Sequence, residues 1–190
     1  RDLQALAAGN ALAALSGHRR EALWQALDAA PAKDLLRTAP SREERLQLAA
    51  PSEAEDIVAD YRSAGMTLRR HPLALLRTIL SKQKFLPHDV MATFQDGQFA
   101  RGCGIVTVRQ RPGTAKGVLF ITIEDETGST NVILWPSLVE KQRNEVLNAS
   151  LLGVYGIWQT HAGVKHLVAK RLVDLSHLLG EINVHSRDFC

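Results

Sequence analysis

The order of short hydrophobic segments between Arg101 and Leu175 constrains this chain more than any other feature. Gly104 to Arg109 is a β-branched run, and Arg111 to Gly117, with Pro112 and Gly113, is a loop. Val118 to Ile123 follows, then a tight acidic turn, Glu124 to Gly128, and a third run from Thr130 to Trp135. Ser137 to Ala149 has a helical composition, and Leu151 to Thr160 and Val164 to Val173 complete the set. Runs of this length, rich in Val, Ile, Leu and Thr and bounded by Gly, Pro and Asp, read as strands. The order is strand, strand, strand, helix, strand, strand.

That order predicts an OB-fold, a small, partly open five-stranded barrel. The fold class is α+β: an N-terminal short-helix region followed by the barrel. OB barrels take ligands across strands two and three, between the loop joining strands one and two and the loop joining strands four and five. Single-stranded nucleic acid is a frequent ligand. The first loop supplies Arg109, Arg111 and Lys116 for phosphates, with Gly113 and Gly117 allowing close backbone approach. The second contains His161, Lys165 and His166, and Arg101 adds charge at the start of the barrel. Single strands also need rings to stack on, and Phe120, Trp135, Tyr155 and Trp158 are available. Phe120 and Thr122 share one strand face while Leu119, Ile121 and Ile123 share the other. The larger apolar set belongs inside, which leaves Phe120 outside. Trp135, ahead of Pro136, is either a stacking platform or a lid on the core.

Composition narrows the class. A hydrophobic content of 45% supports a real core, and 23% charged residues is ordinary for a soluble chain. The net charge of +3 favours a polyanionic partner only mildly. No apolar run approaches the ~20 residues of a membrane span. Cys103 and Cys190 are too few for a disulfide framework or a zinc cluster, so a reducing, cytoplasmic setting is expected. The chain opens without Met, in the middle of a helical pattern, as a piece of a longer protein would.

Residues 1 to about 93 read as helical. Leu3, Leu6, Leu12, Leu15, Leu23, Trp24 and Leu27 recur at helical spacings, interrupted at Gly9-Asn10 and Gly17. Pro31 to Pro40 reads as a linker. Ser41 to Glu44 and Ser52 to Glu55 are capping boxes. The second opens a helix with Ala54, Ile57, Val58 and Tyr61 on one face, stopped by Gly65. His71-Pro72 starts another over 72–81, with Leu73, Leu76, Ile79 and Leu80 inward. Pro87 starts a last short turn. The expected domains are 1–30, 31–97 as a helical connector, 98–178 as the barrel and 179–190 as a tail. Between Asp60 and Asp89 every charged residue is basic, namely Arg62, Arg69, Arg70, Arg77, Lys82 and Lys84. This is either a phosphate-attracting strip continuous with the barrel mouth or a solvated face.

Several of these segments resemble one family. Arg109 to Gly117, Phe120 to Gly128, Asn131 to Pro136, Leu151 to Trp158 and His166 to Leu179 are similar to the C-terminal OB region of bacterial error-prone DNA polymerases, the damage-inducible relatives of the replicative C-family alpha subunit. Gly17 to Trp24 resembles the end of that family's helix-hairpin-helix domain, Gly65 to Pro72 its connector, and Ser186 to Phe189 its ending. The resemblance implies a part in translesion synthesis and damage-induced mutagenesis. It implies single-stranded or primer-template DNA as partner, with a catalytically inactive Y-family-like polymerase adaptor and a RecA-like accessory protein. The polymerase aspartates it implies lie upstream of this chain. Magnesium and deoxynucleotides are therefore implied only for the absent polymerase core, and this chain alone is expected to be non-catalytic, with no cofactor. Gln83 to Pro87 matches a clamp-binding peptide poorly, which leaves the clamp to the adaptor.

Two rivals stand beside that expectation: a pure protein-interaction module with its groove filled by a partner segment, and a free-standing nucleic-acid-binding OB protein. The seven histidines show no ligand spacing with Cys or carboxylate support. Asp125 and Glu126 read as hairpin residues rather than an acid/base pair, and neither cysteine has an evident base.

Overall fold

In the computed structural model, residues 1–28, 48–113, 117–161, 163–180 and 187–189 are described. The linker at 31–40, the first capping box at Ser41, and Lys116 lie outside them, as do residues 181–186 and Cys190. The chain divides into two compact units, Arg1–Arg69 and Arg70–Cys190.

The first unit holds α1 (Asp2–Ala8), α2 (Ala13–Ser16), α3 (Arg19–Asp28) and α4 (Glu53–Ala64). The breaks fall at Asn10 and Gly17, which take positive φ values of 62° and 92°. Ser52 and Glu55 form the reciprocal capping box at the start of α4, and Gly65 closes the helix in the left-handed conformation. The leucine pattern does not become a core. Leu3, Leu6, Leu15, Trp24 and Leu27 are all exposed, and among the unit's described residues the buried apolar ones are the small Ala7 and Ala22 with Ile57. The centre is ionic: Arg19 pairs with Asp56 and Asp60, and Arg69 with the same two carboxylates.

The second unit begins with α5 (Pro72–Lys82) and α6 (His88–Met91). The barrel follows as β1 (Phe99–Gln110), β2 (Leu119–Glu124), β3 (Ser129–Leu134), α7 (Pro136–Lys141), α8 (Arg143–Asn148), β4 (Leu151–His161) and β5 (Val164–Asp174). A 3-10 turn at Ser176–Leu179 leads to β6 (Arg187–Phe189). Strand order is β2-β3-β5-β4-β1-β6, and an additional β2–β1 pairing closes five strands into a barrel. The closure is thinnest between β3 and β5, where the parallel pairing is Val132↔Leu167 and Ile133↔Val168. This is the five-stranded OB architecture the segment order predicts.

The interior is apolar, with Val106, Ile121, Ile123, Val132, Leu134, Leu152, Val154, Trp158, Leu167 and Leu172 all buried. Gly156 makes room at the β4–β5 bulge, since a Cβ there would lie 2.3 Å from the Val168 carbonyl oxygen. The helix expected over 137–149 breaks at Gln142. Its side-chain amide donates to Leu172 O at 2.9 Å and accepts from Leu172 N at 2.8 Å, pinning the break to β5. Val146 and Ala149 then close one end of the barrel.

A second cluster lies on the outer faces of β1 and β4, where Leu73, Leu80 and Phe85 cover Cys103, Ile105 and Leu151. Ile79, expected inward, is 44% exposed. The buried stripe of α5 is narrower than the sequence reading, running through Leu73, Leu76 and Leu80. The expected tail contributes a strand: β6 pairs parallel with β1 over Val108–Gln110.

Candidate nucleic-acid interface

Strand alternation fixes the candidate face. On β2, Leu119, Ile121 and Ile123 point into the barrel and Phe120 and Thr122 point out. Phe120 pairs with Ile133 on β3 and Gln110 on β1, and Thr122 with Asn131 and Val108. Val164 and His166 on β5 complete a concavity of ≈ 350 Å³ lined by these eight residues. It lies across strands two and three, where OB barrels hold ligands. Phe120 is half-buried in its wall, an apolar ring beside Val108, Ile133 and Val164, with the amides of Gln110 and Asn131, the Thr122 hydroxyl and the His166 imidazole around them.

The remaining candidates separate. Arg111 is exposed at the end of β1, with its guanidinium near Gly117 at the base of the following loop. Lys165 is exposed beside His166, and its Nζ donates to Ala92 O at 2.5 Å. Trp135 is 52% exposed and heads α7 ahead of Pro136, so it is not a core lid. Trp158 is fully buried in the core, which removes it from the list of stacking rings.

Arg109 is a correction. It is 8% exposed, and its Nε and Nη2 donate to Val146 O at 2.8 Å and Ala149 O at 2.6 Å. Those are carbonyls at the end of α8, a position that favours a cation. The cause is a β-bulge between Val106 and Val108. Up to Val106 the even-numbered residues of β1 face inward. The extra residue, Thr107, shifts the parity, so that Val108 and Gln110 face the groove and Arg109 faces in opposite Ile121. Arg101 is not at the groove either; it lies among aromatic rings on the β1–β4 surface.

The basic connector is partly neutralised within each unit. Arg69 is paired with Asp56 and Asp60. Arg77 makes a two-bonded pair with Glu126 and lies 3.6 Å from Asp125. That pairing explains the acidic turn. Asp125 Oδ1 accepts from the Thr127 and Gly128 amides, and its Oδ2 accepts from the His88 amide at 2.7 Å, so the β2–β3 hairpin is tied to α5 and α6. Burial pushes Glu126 up, but its bonds from Arg77 outweigh this and hold it below its ordinary 4.5. Burial drives the Cys103 thiol up to about 12, far from a nucleophile's range. Among the described residues no group of three or more His, Cys, Asp or Glu could hold a metal ion. No helix among them is long and apolar enough to cross a membrane.

Residues 103–175 match the family described as OB-fold nucleic acid binding domain. The chain as a whole is 57% identical to an error-prone DNA polymerase of Ralstonia nicotianae over 99% of its length, and 53% identical to one of Burkholderia pseudomallei over 100%. It is 57% identical to one of Bordetella parapertussis over 95%. It spans only 17–18% of the length of these relatives.

Proposed function

This chain is homologous along its length to error-prone DNA polymerases, and from that premise we propose that it is their non-catalytic C-terminal region, holding single-stranded template DNA for a polymerase core that lies elsewhere in the protein. The observation that carries the reading is the groove of Phe120, Thr122, Asn131 and His166 across β2 and β3, inside the segment that matches a nucleic-acid-binding family. Phe120 offers a ring for a base, Asn131 and Gln110 offer amides to base edges, and Arg111 and Lys165 stand exposed nearby for phosphates. In this reading the parent copies damaged DNA in translesion synthesis, in the cytoplasm, beside an inactive Y-family-like adaptor and a RecA-like accessory protein. Magnesium and deoxynucleotides serve the polymerase core.

A second reading has its own support. The eight groove-lining residues include no Lys or Arg, and a neutral groove also suits a segment of a partner protein.

Titration of fluorescent single-stranded DNA with this chain, followed by anisotropy at two salt concentrations, separates them. Template holding predicts salt-sensitive binding and a Phe120→Ala loss of about 1–3 kcal/mol, the worth of one stacked base. Absence of binding at low salt, or no effect of Phe120→Ala, rejects the groove as a DNA site and leaves partner docking, to be tested by pull-down with the accessory proteins.

A further inference from the structure

The barrel carries a cationic surface that shares no residue with the groove. Its centre is Tyr155 on β4. Arg101 on β1 and Arg171 on β5 are the cross-strand neighbours of Tyr155, and their guanidinium carbons lie 5.2 and 5.5 Å from its ring centroid. Arg101 is also 5.7 Å from the ring of Phe99, which is 51% exposed. Beneath, Phe85 meets Tyr155 edge-on at 5.5 Å and is itself fully buried, so the tyrosine is anchored to the outer hydrophobic cluster. The bulge opposite Tyr155 and Gly156 leaves Lys170 as an extra, exposed residue next to Arg171. Lys84, also exposed, immediately precedes Phe85.

The charge here is uncompensated. Among the described residues, neither guanidinium makes an ion pair with a carboxylate, in contrast to Arg19, Arg69 and Arg77. The one carboxylate on β1, β4 and β5 is Asp174, at the far end of β5 and engaged by Ser176. Two guanidiniums sharing one ring repel each other, and the ring orders their stems without neutralising them. Such a pair is pre-organised for an anion that bridges both, with little left to lose on binding. An exposed ring beside it suits a ligand that alternates phosphates with planar bases.

We propose that the Tyr155 surface is a second single-strand contact, with Arg101 and Arg171 on phosphates and Phe99 under a base. The inference rests on the reading of the barrel as a single-strand binder. His166 in the groove and Arg171 are five residues apart on β5, about 17 Å at strand rise, and one strand within the usual span of ~4–16 nucleotides per OB-fold reaches both.

The test uses the chain as it stands and a fluorescent 16-nucleotide oligothymidine, with affinity measured over a salt series. Arg101→Gln/Arg171→Gln should reduce the slope of log affinity against log salt by about 1.4, from two phosphates at ~0.7 each. Phe120→Ala should weaken binding with the slope unchanged. An unchanged slope in the arginine variant, with Phe120→Ala still weakening, overturns the second contact and keeps the groove. A reduced slope with Phe120→Ala silent keeps the second contact and rejects the groove. Lys84→Gln/Lys170→Gln, which alters no ring contact, guards against misfolding of the arginine variant; it should also lower the slope, and failure to do so counts against the proposal. Loss of oligoglutamate binding in the arginine variant, with DNA binding intact, overturns it in favour of an acidic protein partner.

Discussion

The helical unit and the barrel unit solve the same problem by different means. The barrel buries large side chains, with Trp158, Leu134, Leu152 and Leu167 essentially inaccessible. The helical unit points its large side chains outward and buries alanines, an isoleucine and a salt-linked pair, Arg19 at 4% and Asp56 at 7% exposure. A closed sheet makes an interior of its own. The four described helices, of 4 to 12 residues, bury little apolar surface, and a charged tie then carries more of the cohesion.

That contrast can be broken most forcefully in the barrel. Trp158→Ala should cost about 3–5 kcal/mol, the usual range for emptying a large aromatic site. The loss should appear as faster amide exchange in β4 and β5 with α3 and α4 unaffected. Equal deprotection of both units would show that they unfold as one. Next in size is the helical unit's tie. Arg19→Met removes the buried cation from Asp56 and Asp60, which keep the 36% exposed Arg69, and should cost about 3 kcal/mol. Here exchange should rise in α1, α3 and α4 and stay constant in the barrel. A silent substitution would mean the apolar contacts suffice.

The smallest effect is a pH dependence of the barrel unit. Burial holds His71 below its ordinary 6.5, against the pull of Glu124, Glu126 and Asp125. The unfolded chain therefore takes up the proton first. The stability this group supplies is complete above pH 6.5 and drains as pH falls through the lower folded value. Glu126, depressed below 4.5, extends the loss further into acid. Thermal melts from pH 7 to 5 should show the barrel midpoint drifting down. His71→Asn, which keeps a side-chain acceptor for the Leu73 amide, should flatten the drift above pH 5. An undiminished drift in that variant would place its origin elsewhere.

The sheet was legible because period-two alternation is local. Leu119, Ile121 and Ile123 against Phe120 and Thr122 can be sorted from six residues, and the groove followed from the same sorting. What escaped depends on partners distant in sequence. Arg109 reads as a loop cation until an extra Thr107 turns it inward toward carbonyls 37 and 40 residues away. Arg101 and Arg171 are 70 positions apart and meet only because β4 lies between β1 and β5. The N-terminal leucines carry helical spacing faithfully, but spacing says which residues share a face and not whether anything covers it.

The short strand β6 also bears on how the chain behaves in a crowded solution. Over Val108–Gln110, β1 is flanked by β2 on one side and by β6 on the other. A strand paired on both sides offers no row of free amides and carbonyls to template a foreign chain. Three residues near the end of the sequence thus act as a selvedge where β4 no longer reaches, and what that margin offers to strand addition is cut to the short outer edge of β6 itself.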